Sequence, residues 1–366
     1  MTAPTPAAGA CESQAVGDAS PEQIARLADS LVAKMQSASQ EIAKINDQAR
    51  LLSLNARIEA ARAGGATGAA FGVVASAMYT LSDKTSAVAD TMARETAESN
   101  KMLRSIIRTL ATNVRGLRLS DIALTNIDLI DRNLYERSCD VRWWATDSSV
   151  VDALTEASDE AKRRCAHRLG VILSSYTVYY DLVLCDLSGS VVASGRPDLY
   201  APAGTNCSRE AWFQTALATA SGEEFGFQTV HASPLVGGSR VLVYSCVVRA
   251  GGDVHAAPLG VLGIVFNWDA LAQTIVTNCP LSAAEKARTR VCIVDHDGMI
   301  LADSQGRQLR ERIDFAGWSR IVQEDKGFLT TDVHGAPCCV GYAASPGYET
   351  YATGWYSVLV QREGVG

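Results

Sequence analysis

The feature that most narrows the folds open to this chain is a heptad pattern that breaks at a glycine cluster and then resumes. Leu31, Met35, Ala38, Ile42, Ile45, Ala49, Leu52, Ala56 and Glu59 alternate in steps of four and three, the spacing of the a and d positions of packed helices. Gly64, Gly65 and Gly68 interrupt the run, and Val74, Met78, Leu81, Thr85, Val88 and Met92 restart the period. Neither stripe is buried unless the two arms fold together. The pattern therefore predicts an antiparallel helical hairpin with its tip at 64–68 and a return arm starting near Ala69. Small residues near the turn (Ala49, Ala56, Ala60, Ala61) allow the arms a close approach. Ser20, Pro21 and Glu22 mark the helix start: an N-cap serine, proline at the first helical position and an acid in the first turn.

Leu51, Asn55, Ile58 and Arg62 form a second stripe of the same spacing on a different face. Two readings stand side by side. Either both stripes serve one broad four-helix core, or the second is left over when the hairpin closes and meets another chain.

The segments Asp47-Gln48, Leu51-Leu52, Leu54-Asn55-Ala56, Ile58 to Gly64, Phe71 and Val73-Val74-Ala75 together resemble the membrane-distal signalling tip of bacterial methyl-accepting chemotaxis receptors. That resemblance implies a tip that packs homodimers into trimers of dimers and docks a histidine kinase with its coupling adaptor. It gives the contact roles to Leu51, Leu54, Asn55, Ile58, Glu59, Arg62 and Val73, and the turn to Gly64, Gly65, Gly68 and Phe71. The chain departs from the family where Gly-Glu becomes Gly64-Gly65, Gly-Arg-Gly-Phe becomes Gly68-Ala69-Ala70-Phe71, and Glu-Val-Arg becomes Ala77-Met78-Tyr79. Four positions charged in the family are neutral here, and charged contacts set partner choice more than affinity. The family's methylated glutamates lie many heptads from the tip on helices this chain lacks, so no adaptation by methylation is expected.

Net charge is −7, with no basic field to displace counterions, so nucleic acid is excluded as a partner. The densest basic cluster, Lys162-Arg163-Arg164 with His167 and Arg168, reads as a solvated helix face. The ten cysteines form no C-x-x-C pair, and several sit in apolar strand contexts, which fits a reducing cytoplasm. No apolar run reaches the length of a membrane span, and residues 1–20 read as a disordered leader rather than a signal peptide. A cytoplasmic protein associated with a receptor array is the expectation.

No proline falls between Pro21 and Pro197, and a helical apolar face (Leu103, Ile106, Leu110, Leu117, Ile122, Ile127, Leu129, Leu134) carries on to Trp143-Trp144, with Gly116 as a flex point. Val150 to Ser175 is a helix pair with a polar waist at 156–160. Strand signals then come twice. Leu182–Ser194 aligns with Val291–Asp303, Asp186 and Gly189 recurring as Asp295 and Gly298; Asp caps each turn and Gly supplies its positive φ. Each hairpin precedes a helical stretch (Arg209–Ala220; Phe315–Glu324) and more strands (Arg240–Val248 and Leu259–Phe266; Pro337–Ala343 and Gly354–Gln361). Asn206 to Phe213 and Gly260-Val261-Leu262 resemble the double Cache sensors, two PAS-like modules behind a long helix. The fold class expected is multidomain: an N-terminal α-helical coiled-coil hairpin and a C-terminal α+β sensor with antiparallel sheets. Its parts are a leader (1–20), the hairpin (21–115), a linking helix and helical sensor start (116–178), and two modules (179–280 and 281–366).

In a double Cache sensor the first module's pocket would be lined by Arg209, Trp212, Phe213, Phe227, Thr229 and Tyr244, with Arg209 as a bidentate carboxylate clamp. The competing reading puts Trp212 and Phe213 in a helix core and Arg209 beside Glu210 on the surface. Val265 stands where amino-acid-binding relatives carry an aspartate, which points to an organic acid or other small anion as ligand. Asp295-His296-Asp297 is a turn cap and not a metal site. There is no G-x-S-x-G, Walker A loop or dinucleotide fingerprint, and the five histidines have no nucleophile partner visible in the sequence. No catalytic residue, metal or cofactor is expected. The expected function is a chemoreceptor-like transducer whose C-terminal half senses a small molecule and whose hairpin relays it to the kinase and adaptor. The alternative is an array-associated structural or decoy protein that leaves the kinase uncontrolled.

Overall fold

The computed structural model describes residues 21–200 and 202–363; the expected leader at 1–20 lies outside them. The chain divides into two compact units between Val114 and Arg115. The first is a hairpin of α1 (Pro21–Ala63) and the opening part of α2 (Gly65–Trp144). Gly64 and Gly65 have φ of +57° and +67°, the left-handed region that suits glycine, so the chain reverses in one residue. The return helix thus starts at Gly65, four residues earlier than expected, and the Gly68 N–H already donates to Gly64 O at 3.3 Å. A Cβ on Gly68 would lie 2.5 Å from Ala60 O, so only glycine lets the arms close there.

Between the arms the packing differs from the expected seam. The buried positions are Ala28, Asn46, Ser53 and Ala60 on α1 and Ala75, Ser82 and Ala89 on α2. Leu31, Ile45, Leu52, Val74, Leu81 and Val88, the bulky residues expected there, are exposed. Met35, Ile42, Ala49 and Ala56 are shared by both readings and half-buried. Serine hydroxyls explain the shift. Ser53 Oγ donates to Ala75 O at 2.6 Å, Ser82 Oγ to Asn46 O at 2.8 Å and Ser39 Oγ to Ala89 O at 3.3 Å. These bonds need backbones close together, which small residues permit and leucine does not. Ion pairs Arg50–Asp83 and Arg104–Asp29 flank the seam.

The second unit is built on Arg115–Trp144 of α2. α3 (Ser148–Thr155) and α4 (Asp159–Ser174) follow, capped by Asp147 and Ser158. The first module holds β1 (Tyr179–Asp186), β2 (Val191–Ser194), α5 (Pro197–Tyr200), α6 (Ala211–Leu217), β3 (Gly226–Ser233), β4 (Ser239–Arg249) and β5 (Pro258–Asn267). α7 (Thr274–Thr277) and α8 (Ala283–Lys286) lead into the second, with β6 (Thr289–Val294), β7 (Ile300–Asp303), α9 (Trp318–Ile321), β8 (Lys326–Val333), β9 (Ala336–Ala344) and β10 (Tyr356–Arg362). The sheets are antiparallel and ordered alike, β2-β1-β5-β4-β3 and β7-β6-β10-β9-β8, which makes the sequence repeat a structural one. The Asp186 and Asp295 carboxylates accept backbone N–H bonds across turns whose glycines have φ of +83° and +79°.

One core spans both modules. Leu119, Ala123, Ile127, Ile130 and Leu134 of α2 pack over Leu262, Ile264 and Phe266 of the first sheet and Ile293, Cys339 and Leu359 of the second. Gly116 is helical and buried: a Cβ there would meet the Phe328 ring, so glycine admits β8 and is not a flex point. A Cβ on Gly341 would lie 2.6 Å from the Leu119 carbonyl carbon and 2.7 Å from Ser120 N, which sets how closely β9 meets α2. Separate cores fill the far face of each sheet.

Candidate functional site

At the tip, Leu51, Leu54, Asn55, Ile58, Glu59, Arg62, Val73 and Phe71 are all exposed. At about 100° per residue, Leu52 points to one side of the Ser53 seam and Leu51, Leu54 and Ile58 to the other. Because the arms are antiparallel, Val74, just before buried Ala75, lies on the same side as Leu52. Leu31, Ile45, Leu52, Val74, Leu81 and Val88 therefore share one apolar face. The far side carries Leu51, Leu54 and Ile58; Glu59, seven residues after Leu52, falls on the Leu52 side, where its Oε1 accepts from Arg62 Nη1 at 3.0 Å. Both surfaces leave large apolar side chains exposed along the hairpin.

In the first module, α6 lies close on the sheet. Ser245 Oγ donates to Trp212 O at 2.7 Å, the Trp212 N–H donates to Gln228 Oε1 at 3.2 Å, and Gly263 makes room for the indole. Trp212 and Phe213, edge to face at 5.9 Å, are buried with Val183, Cys185, Val243 and Val265. Arg209 is exposed just before this helix, and Tyr180 and Tyr200 flank the same core. Phe227 and Tyr244 pair across strands at 5.1 Å and pack on the opposite face, beneath α2; Thr229 is exposed. Arg209, Trp212 and Phe213 thus share one side of the sheet, while Phe227 and Tyr244 do not join them. Asp181, the carboxylate neighbouring this face, is sealed by Ser194 Oγ and the N–H groups of Leu182, Gly195 and Arg196.

Polar residues under α2 carry the link between modules. Asp131, fully buried, accepts from Ser345 Oγ (2.6 Å), Gly347 N (2.9 Å), Thr353 Oγ1 (2.8 Å) and Thr353 N (3.3 Å) in the β9–β10 connection. From that connection Tyr351 OH meets Tyr244 OH of the first module at 2.5 Å, and Tyr348 sits under Arg132. Further along, Tyr179 OH donates to Asp140 Oδ2, and Arg137 stacks on Tyr179. Burial pushes the Asp140 carboxyl up and the Tyr179 phenol further up. The sequence reading missed Asp131, whose signal was a lone acid between Ile127, Ile130 and Leu134 on an apolar face.

Among the described residues no group of three or more His, Cys, Asp or Glu side chains is placed to hold a metal, and no helix is long and apolar enough to cross a membrane. Every described cysteine is a free thiol. Cys338 and Cys339 point to opposite faces of β9, into different cores.

Residues 6–136 match the model of the methyl-accepting chemotaxis protein (MCP) signalling domain. No curated protein matches the chain in sequence. Among solved structures, the sensory domain of the Campylobacter jejuni chemoreceptor Tlp3 superposes with a TM-score of 0.51 at 14% identity, over 68% of this chain and 94% of that one. The ligand-binding domain of the Pseudomonas aeruginosa amino acid chemoreceptor PctC, in complex with GABA, gives 0.49 at 20% identity, over 68% of this chain and 99% of that one. The V. cholerae histidine kinase DctB sensor domain gives 0.48 at 13%, over 70% and 96%. At such identity the Tlp3 likeness is one of fold: two five-stranded antiparallel sheets of the Cache sensor kind.

Proposed function

From a chain that joins an MCP signalling domain to a Cache-like sensor, we propose a transducer that binds a small molecule in its C-terminal half and relays occupancy through its hairpin to a chemotaxis histidine kinase and coupling adaptor. The observation that carries this reading is α2, which contributes Gly65–Val114 to the hairpin and Arg115–Trp144 to the sensor core without a break. A ligand that shifts Arg115–Trp144 acts on the same helix that forms half of the tip. The coupling such a device needs is modest, about 1–3 kcal/mol.

The face carrying Leu31, Ile45, Leu52, Val74, Leu81 and Val88 pairs with a second copy of the hairpin, and Leu51, Leu54, Asn55, Ile58, Glu59, Arg62 and Val73 meet further dimers, kinase and adaptor. The sensor ligand is a small organic acid held by Arg209 against the Trp212–Phe213 side of the first module; Val265 offers no carboxylate for an ammonium group. The protein works in the cytoplasm beside receptor arrays. It does so without methylation, because its return arm becomes the sensor's own helix at Arg115.

A thermal-shift screen of organic acids and amino acids on the full chain tests the sensor half, since a ligand at 100 Kd stabilises by about 2.7 kcal/mol. The hit is then added at saturation to a reconstituted kinase–adaptor mixture. Changed phosphorylation supports the relay. An unchanged rate with bound ligand refutes it and favours the decoy reading, which the neutral positions Gly65, Ala69, Ala77 and Tyr79 motivate.

A further inference from the structure

Where α2 ends and α4 packs beside it, Trp143, Trp144, Asp147, Arg168 and Tyr176 help to line an open cleft of about 440 Å³. It lies on the helical side of the sensor, away from the Trp212–Phe213 face. Its aromatic surface is layered. Trp144 and Tyr176 meet edge to face at 5.5 Å, backed by Tyr179, and Trp143 stands 71% exposed. The polar group is held in place. Asp147 Oδ1 accepts from Ser149 N at 3.0 Å and Ser149 Oγ at 2.7 Å, and Asp147 Oδ2 accepts from Arg168 Nε at 3.1 Å. Burial acts to raise the Asp147 carboxyl, but these hydrogen bonds together outweigh it and hold the group below the usual carboxylate range, so it stays ionised and keeps the Arg168 side chain at the cleft.

From this geometry we infer that the cleft is a second ligand site, for a planar aromatic acid whose ring lies against Trp143 and Tyr176 and whose carboxylate pairs with the outer edge of Arg168. Four observations select that class. The volume falls in the range of small-molecule pockets, and two tryptophans with a tyrosine offer ring faces and edges to a flat partner. Only Nε of the guanidinium is engaged by Asp147, so its Nη1/Nη2 edge remains for a planar anion. The Asp147 charge is already paired with Arg168 and bonded to Ser149, so the cleft holds no unpaired negative charge from this carboxylate to attract an ammonium, and amines are disfavoured. Trp143 and Trp144 belong to α2, so occupancy acts directly on the helix that continues into the hairpin.

Calorimetry on the full chain with indoleacetate, tryptamine and indole tests the inference, as these share one ring and differ in charge. Saturable binding of indoleacetate, at least tenfold tighter than tryptamine or indole, is expected. Trp143→Ala, at an exposed position, and Arg168→Gln should each weaken it at least tenfold, and Arg209→Ala should leave it unchanged. Unaltered melting of Trp143→Ala certifies the fold should Arg168→Gln disturb α3. Absence of saturable binding overturns the inference. So does binding that survives both cleft variants, and loss in Arg209→Ala alone would assign the acid to the sheet face instead.

Discussion

Leu52 and Leu54 are neighbours on α1, both exposed (61% and 49%), yet they fall on opposite sides of the Ser53 seam, so the same substitution should do different things at each. Full burial of a leucine stabilises by about 1.5–3 kcal/mol, and Leu52 has roughly three-fifths of that still to gain against a second hairpin. That is roughly 1–2 kcal/mol per copy, or about 2–4 kcal/mol for a symmetric pair that buries the residue twice. Leu52→Glu forfeits this and adds the cost of covering a carboxylate, so the dimer dissociation constant should rise by about 30- to 1,000-fold. Leu54→Glu should leave it within about threefold, because nothing of the pairing face changes. Sedimentation equilibrium of the full chain gives both constants, with circular dichroism confirming helix content. The hairpin itself is indifferent to either change, since its arms close on Asn46, Ser53, Ala75 and Ser82. A monomeric parent, or equal weakening by both variants, would refute the assignment of faces.

Three further outcomes rest on the sensor. Gly341→Ala should lower stability by about 1–3 kcal/mol in urea unfolding, as its Cβ would press on the α2 backbone, whereas Gly116→Ala should cost less because the ring of Phe328 can turn aside. Asp131→Asn should cost about 2–3 kcal/mol, because an amide meets donors on both oxygens with one acceptor, and hydrogen exchange should quicken first in the β9–β10 connection. Glu285 on α8 is held down to about 2 by Arg118 of α2 and by Ser282. A folded-state value below the unfolded one means this contribution is complete above pH 4.5 and lost as pH falls from there towards 2. With Arg118 half-exposed it is worth about 1 kcal/mol, so thermal melts of Glu285→Gln should show a shallower acid limb across that window.

Much of this architecture is legible in the sequence, because its signals are local. The glycine reversal, the uninterrupted helix to Trp144 and the paired Asp–Gly turns each follow from one residue's backbone preference. Two strands escape such signals: β3 and β8 are sheet-edge strands whose half-buried, mixed faces show no clean alternation. The observed seam lies one residue from the bulky apolar stripe, because the contact follows small side chains and not apolar bulk. The arms close on serine and alanine, which permit close approach, and the leucines stay exposed. Pocket residues were the least legible. Tyr244 and Trp212 fall on opposite faces of one sheet, and only strand register decides that. The link through Asp131 and Tyr351 joins residues far apart in sequence, and no spacing rule reaches it.

Autophosphorylation of a chemotaxis histidine kinase, reconstituted with its adaptor and titrated with the full chain, bears most directly on the hairpin as an output device. The account predicts a saturable change in rate that Leu54→Glu and Ile58→Glu abolish while both variants remain dimeric. An identical rate with and without the chain, or an effect that both variants retain in full, would contradict it.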